Sequence, residues 1–149
     1  MQEEGKISVT AEDMLPIIKK WLYSEHDIFL RELVSNAVDA ITKHEHFALT
    51  GEASQKDVEY KIEVAVNETN KTIHIKDNGV GMTADEVKKY ITQLAFSGAT
   101  EFFEKYQAGD ESSRMIGHFG LGFYSSFMVA NKVEIKTLSF KNESKPVHW

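Results

Sequence analysis

Apolar residues along this chain recur at two periods, and the switches between them outline the elements. Ile7 and Val9 alternate with polar residues and predict a short strand. Thr10 and Asp13 then form a capping signal ahead of Met14, Ile17, Ile18, Trp21 and Leu22, which repeat at helical spacing. Pro16, near the start of that helix, is placed to bend it. A second helix is predicted from about Asp27 to beyond Ile41. On its wheel Leu30, Leu33, Val34, Ala37, Val38 and Ile41 cover an arc from about 100° to 240°. Thr50 to Asp57 is polar, contains a glycine and reads as a loop. Tyr60, Ile62, Val64 and Val66 alternate strictly, as do Ile73 and Ile75, so Asn67 to Lys71 reads as the turn of a hairpin. Ala84 to Ile91 returns to helical spacing. From Gln93 to His118 the pattern weakens, punctuated by Gly98, Gly109 and Gly117; long stretches of this kind in compact domains are often functional lids. A helix is expected to resume after Gly122 through Phe127 and Ala130. Val133, Ile135 and Thr137 begin another strand, and the chain reaches Trp149 in what reads as the next one.

Strand, helix, helix, hairpin, helix, loop, helix, strand is an α+β order. The hairpin makes the sheet at least partly antiparallel, and the helices are expected to cover one face. The 149 residues are enough for one domain with a core of its own, and 42% hydrophobic with 27% charged residues is the balance of a soluble globular chain. The formal charge of −6, with no basic tail or stripe, argues against a nucleic-acid-binding module. It leaves anionic ligands open, because backbone N–H groups in a glycine loop bind phosphate locally. The chain has no cysteine, which rules out a disulfide framework and a cysteine-based zinc site. No apolar run approaches a membrane span, and Met1 to Gly5 lacks signal-peptide character, so a cytoplasmic protein is the expectation.

Three segments carry candidate chemistry. In the second helix, taking Glu32 as zero, Asn36 falls near about 40°, Asp39 near about 340° and Lys43 near about 20° on the wheel. The stripe is either plain solvent-facing surface or a site. A carboxylate, an amide and a carboxylate at spacings of four and three can hold a hydrated metal and orient a water. Asp77-Asn78-Gly79-Val80-Gly81-Met82 follows a strand directly. Asn-Gly alone signals an ordinary turn; read functionally, Asp77 accepts from an exocyclic amine, Gly81 lets a flat ring approach the backbone, and Met82 packs on that ring. Gly117-x-x-Gly120-x-Gly122 has neither the Rossmann order nor a P-loop lysine. It is either a flexible connection or a phosphate cradle at a helix N-terminus. His44-x-His46 has no third ligand nearby and reads as a pair of solvated histidines. No serine-hydrolase elbow or zinc-protease motif is present.

In this order the three segments closely resemble the ATP-binding superfamily that includes DNA gyrase B subunits, histidine kinases and MutL-type repair proteins. The resemblance is closest to the N-terminal domain of the heat-shock protein 90 kDa chaperones in their bacterial form. It is carried by Tyr23-Ser24 through Phe29-Leu30-Arg31-Glu32-Leu33-Val34-Ser35-Asn36-Ala37 and by Ile116-Gly117-His118-Phe119-Gly120-Leu121-Gly122-Phe123-Tyr124-Ser125. It implies a two-layer α/β sandwich with a mixed, mostly antiparallel sheet. It also implies an ATP/ADP and Mg site in which Glu32 is the general base and Asn36 holds the magnesium. Asp77 binds the adenine amino group with help from Gly81, and Met82 and Ile91 line the base pocket. Asp39 and Lys43 support the water network, and Gly117, Gly120, Gly122 and Phe123 wrap the phosphates. A lid would run from about Thr92 to Phe119. The full-length chaperone would be a homodimeric Mg-dependent ATPase acting on unfolded client proteins, with no nucleic acid or membrane partner. The rival readings are a histidine-kinase-type catalytic domain and a nucleotide-binding module without turnover.

The sequence departs from that family where Phe96-Ser97-Gly98-Ala99 replaces a common Lys-Ser-Gly-Thr and where Tyr90 replaces a common asparagine. The family's domain also continues beyond the length seen here. The chain is therefore expected to be a monomeric fragment with truncated C-terminal strands and weak or no turnover.

Overall fold

The structure, a computed structural model, describes residues 28–53, 58–92 and 122–149. Helix α1, Ile28–Leu49, runs through 22 residues and is the spine of the described part. It ends in a Schellman arrangement. Glu52 N donates to Phe47 O at 2.8 Å and Gly51 N to Ala48 O at 3.3 Å, with Gly51 in the left-handed region at φ 79°.

Strands β1, Ile62–Asn67, and β2, Thr72–Asp77, form the expected hairpin. They pair antiparallel, with Val64 opposite Ile75, Val66 opposite Ile73 and Ile62 opposite Asp77. Directly opposed residues share a face, so the apolar positions form one ladder that ends in the Asp77 carboxylate. The turn is closed by Asn67 Oδ1, which accepts from Asn70 N at 2.8 Å. At the other end the Asn78 side chain extends the pairing: its Nδ2 donates to Glu59 O and its Oδ1 accepts from Lys61 N, both at 2.8 Å. Helix α1 packs on both strands.

Helix α2, Ala84–Thr92, starts with a capping box. Thr83 N donates to Glu86 Oε2 at 2.8 Å and Glu86 N to Thr83 Oγ1 at 3.3 Å. Burial alone would raise the Glu86 carboxyl, but the hydrogen bond from Lys141 Nζ at 2.6 Å, the bonds with Thr83 and the Lys141 charge hold it below its ordinary value. Val87 and Ile91 of α2 are buried, as are Ala37 and Ala48 of α1.

The helix expected after Gly122 is a seven-residue 3-10 helix, Gly122–Met128, and does not continue to Ala130. Ser125 Oγ and Ser126 Oγ donate back to Gly122 O at 2.5 Å and Phe123 O at 2.7 Å, and such local bonds favour the tighter turn. Strand β3 is Lys136–Thr137 and β4 is Val147–His148; they pair antiparallel, with reciprocal bonds between Ile135 and Trp149 at 2.8 and 2.9 Å extending the ladder. The described residues thus form an α+β assembly of helices with two small antiparallel sheets. The N-terminal strand and helix, and the expected lid beyond Thr92, lie outside the described residues.

Candidate functional site

The glycine-rich turn after β2 is bracketed from two sides. Asp77 Oδ1 accepts from Gly79 N at 2.9 Å, fixing the bend and aiming the carboxylate back over it. Burial raises the Asp77 carboxyl above its ordinary range, partly offset by the Gly79 hydrogen bond. On one side Val80 N donates to Ala40 O of α1 at 3.1 Å. A side chain at Gly79 would stand within 2.6 Å of Ile41 N, so only glycine lets the turn lie against the helix there. On the other side Phe140 N donates to Val80 O at 2.9 Å and Met82 N to Thr137 Oγ1 at 2.9 Å. Gly81, at φ 60°, sits against the Leu138 carbonyl with no room for a Cβ.

The start of the 3-10 helix meets α1 one to two turns before Ala40, a rise of roughly 6–12 Å for four to eight residues. A Cβ on Gly122 would lie 2.9 Å from Glu32 Oε2 and 3.6 Å from Asn36 Nδ2. Glu32 is half-buried, with Arg31 Nη2 at 3.5 Å, and Asn36 is exposed. Lys43 is half-buried and Asp39 is buried at 5% exposure. Asp39 therefore does not belong to a solvent-facing stripe, while Asn36 on the same side of α1 stays exposed. Phe123 makes edge contacts with Tyr124, Phe127 and Trp149. Tyr124 Oη donates to Ile91 O at 2.6 Å, and burial raises the Tyr124 hydroxyl's pKa.

Gly122 is thus brought to Glu32 and Asn36 on α1, while the Asp77 turn meets the same helix through Gly79 and Val80, and Gly81 and Met82 meet Leu138 and Thr137. Gly117 and Gly120 lie outside the described residues. The histidine pair differs from expectation. His44 and His46 are half-buried, not solvated, and His44 Nδ1 lies 2.8 Å from Tyr60 Oη beneath the stacked Phe47 and Phe140 rings. Among the described residues no cluster of acidic and histidine side chains is arranged to hold a metal by itself. Sequence reading missed Thr137, a threonine in an unremarkable strand with no signal that it would meet Met82, and the bridging role of the Asn78 amide.

Residues 23–148 match the family described as histidine kinase-, DNA gyrase B- and HSP90-like ATPase. The chain belongs to this family. Within this ATPase family it is similar to bacterial chaperones. It is 50% identical over 149 residues to the chaperone protein HtpG of Porphyromonas gingivalis, covering 100% of this chain and 22% of that protein. It is 53% identical over 147 residues to HtpG of Bacteroides thetaiotaomicron, covering 99% and 21%. It is 37% identical over 151 residues to the mitochondrial TNF receptor-associated protein 1 homolog of Dictyostelium discoideum, covering 100% and 21%. The chain thus spans about a fifth of the length of the curated relatives it matches. It corresponds to the N-terminal ATPase domain of the bacterial HSP90 form, an ATP-binding chaperone domain, and the histidine kinase reading is not favoured. Among the described residues no helix is long and apolar enough to cross a membrane.

Proposed function

We propose that this HSP90-like domain binds ATP along α1, base at the Asp77 turn and phosphates at Gly122, and that in the full-length chaperone it hydrolyses ATP to drive work on unfolded client proteins. The observation that carries this is that the Asp77 turn and Gly122 both meet one helix, the first at Ala40 and the second at Glu32 and Asn36. Asp77 accepts from the exocyclic amine of adenine, and Gly81, whose side-chain position is taken by the Leu138 carbonyl, carries the backbone that lies beside the ring. Met82 and the buried Ile91 supply apolar walls. Gly122 leaves free the space that a Cβ would fill beside Glu32 and Asn36, a fitting cradle for a terminal phosphate. An exposed amide beside a carboxylate also suits magnesium, which favours oxygen ligands and keeps most of its waters. Asn36 would hold that ion, which neutralises phosphate charge when bound, and Glu32 would take the proton of the attacking water. Asp39 and Lys43 complete the polar side of the helix. The same reading extends to a sandwich of helices on one sheet face, a homodimer in the full-length chain and a cytoplasmic location.

The test is Asp77→Asn. Asparagine keeps the oxygen that accepts from Gly79 N, so the turn survives. ADP binding should weaken by about 1.5–3 kcal/mol, the scale of a hydrogen bond to a charged group. Because burial raises the folded-state pKa of Asp77, its stabilising contribution is complete only below the unfolded-state pKa and is lost as pH rises through the folded value. At pH 7 the variant should therefore melt no lower than the parent while binding worse. Unchanged calorimetric affinity for ADP would remove Asp77 from the site. Magnesium supplies a second check: chelation should weaken ATP binding, and Asn36→Ala should abolish that dependence. Equal ATP affinity of the parent with and without chelator would remove the ion from Asn36.

A further inference from the structure

Thr137 has no part in the assignments above, yet it holds the peptide on which base recognition depends. We infer that Thr137 is a positioning residue for the base site: its hydroxyl fixes the Gly81–Met82 peptide and thereby sets the preference for adenine over guanine nucleotides. The inference rests on the reading that the Asp77 turn receives the base.

Three hydrogen bonds hold the Val80–Met82 part of this turn from outside. Val80 N–H goes to Ala40 O, and Val80 O receives Phe140 N–H. Both join backbone to backbone and survive any side-chain change. The third, Met82 N–H to Thr137 Oγ1 at 2.9 Å, depends on a side chain. It falls just beyond Gly81, whose φ of 60° marks the residue with the greatest rotational freedom in the turn. Without it, the peptide between Gly81 and Met82 is tied only through residues on either side. That peptide carries both features the base meets after Asp77: the Gly81 backbone and the root of the Met82 side chain. Thr137 and Met82 are both half-buried, so an N–H left without its acceptor would turn to seek water or another partner. Adenine and guanine differ in the group set against Asp77, an amine that donates in one and a carbonyl that repels a carboxylate in the other. Discrimination needs the ring held at one distance from that carboxylate, and the pinned peptide provides the stop.

The test compares Thr137→Val, which keeps the shape and removes the acceptor, with Thr137→Ser, which keeps the acceptor. Calorimetry with ADP and with GDP, each with magnesium, is run below the melting temperature of every variant. Thr137→Val should bind ADP about tenfold more weakly, the scale of one hydrogen bond, with a smaller ADP-to-GDP ratio, and Thr137→Ser should restore both. Thr137→Val binding ADP with the parent's affinity and ratio, even if it melts lower, would overturn the inference, as would a folded Thr137→Ser that restores neither. Should Thr137→Val not fold, amide exchange at Met82 in the parent decides. Protection is expected, and exchange at the rate of an unstructured peptide would overturn the inference. A parent chain that fails to bind ADP at all would instead overturn the nucleotide reading itself.

Discussion

Replacing Glu32 with alanine is expected to lower ATP turnover in a full-length protein carrying this domain by about 10²–10⁴-fold, the contribution of a positioned general base, with nucleotide affinity nearly unchanged. The expectation follows from where the carboxylate sits. Its Oε2 faces the bare Cα of Gly122, the place where a terminal phosphate would rest, with the Asn36 amide beside it. Its ion pair with Arg31, at 3.5 Å, is on an exposed side chain and is worth about 0–1 kcal/mol. A purely structural Glu32 would therefore show little when removed. Glu32→Gln separates charge from shape: it should lose turnover as alanine does and melt with the parent. Single-turnover hydrolysis and ATP affinity on the same variants decide. Normal turnover would exclude Glu32 as the base, and lost affinity would recast it as a ligand contact.

Gly81→Ala should be the most damaging single-methyl change among the described glycines. Two effects add there. The left-handed φ of 60° costs an L-residue about 1–2 kcal/mol. The new Cβ would also drive into the Leu138 carbonyl, and that carbonyl cannot retreat freely, because its neighbours Thr137 and Phe140 are hydrogen-bonded to Met82 and Val80. A loss of at least about 3 kcal/mol is expected, the range of backbone strain combined with overpacking, together with loss of ADP binding. Gly51→Ala is the internal control. Its φ of 79° is just as left-handed, but nothing stands within 4 Å of the new methyl. It should cost only about 1–2 kcal/mol and leave ADP binding alone. Chemical denaturation of the two variants measures the difference, and equal losses would show that the Leu138 contact yields easily.

Much of this was legible in the chain, and the boundary is physical. Strict alternation at Ile62, Val64, Val66, Ile73 and Ile75 placed the hairpin and its turn, because period two has no competitor there; the register came from the structure. The wheel placed α1, but its polar side did not mean solvent throughout: Asn36 is exposed, Asp39 is buried, and Glu32 is half-buried where Gly122 lies against it. Amphipathicity reports which residues avoid water, not which polar residues another element will cover. The helix expected at Gly122 shortened to a 3-10 turn through Ser125 and Ser126, hydroxyls whose local bonds a periodicity count ignores. The strand at Val133 contracted to two residues with one flanking pair. Asp77 and Gly81 stood out because a carboxylate and a glycine leave a local signature. Thr137 did not, since its importance lies in a contact 55 residues away in sequence.

The bond from Tyr124 Oη to Ile91 O has a consequence for how this domain tolerates variation. It staples the end of α2 to the start of the 3-10 helix, the two points where the chain departs before Gln93 and returns after Leu121. With these two points fastened to each other by one hydroxyl, a change at Tyr124 would be felt at both ends of the proposed site, at Ile91 beside the base and at Gly122 beside Glu32.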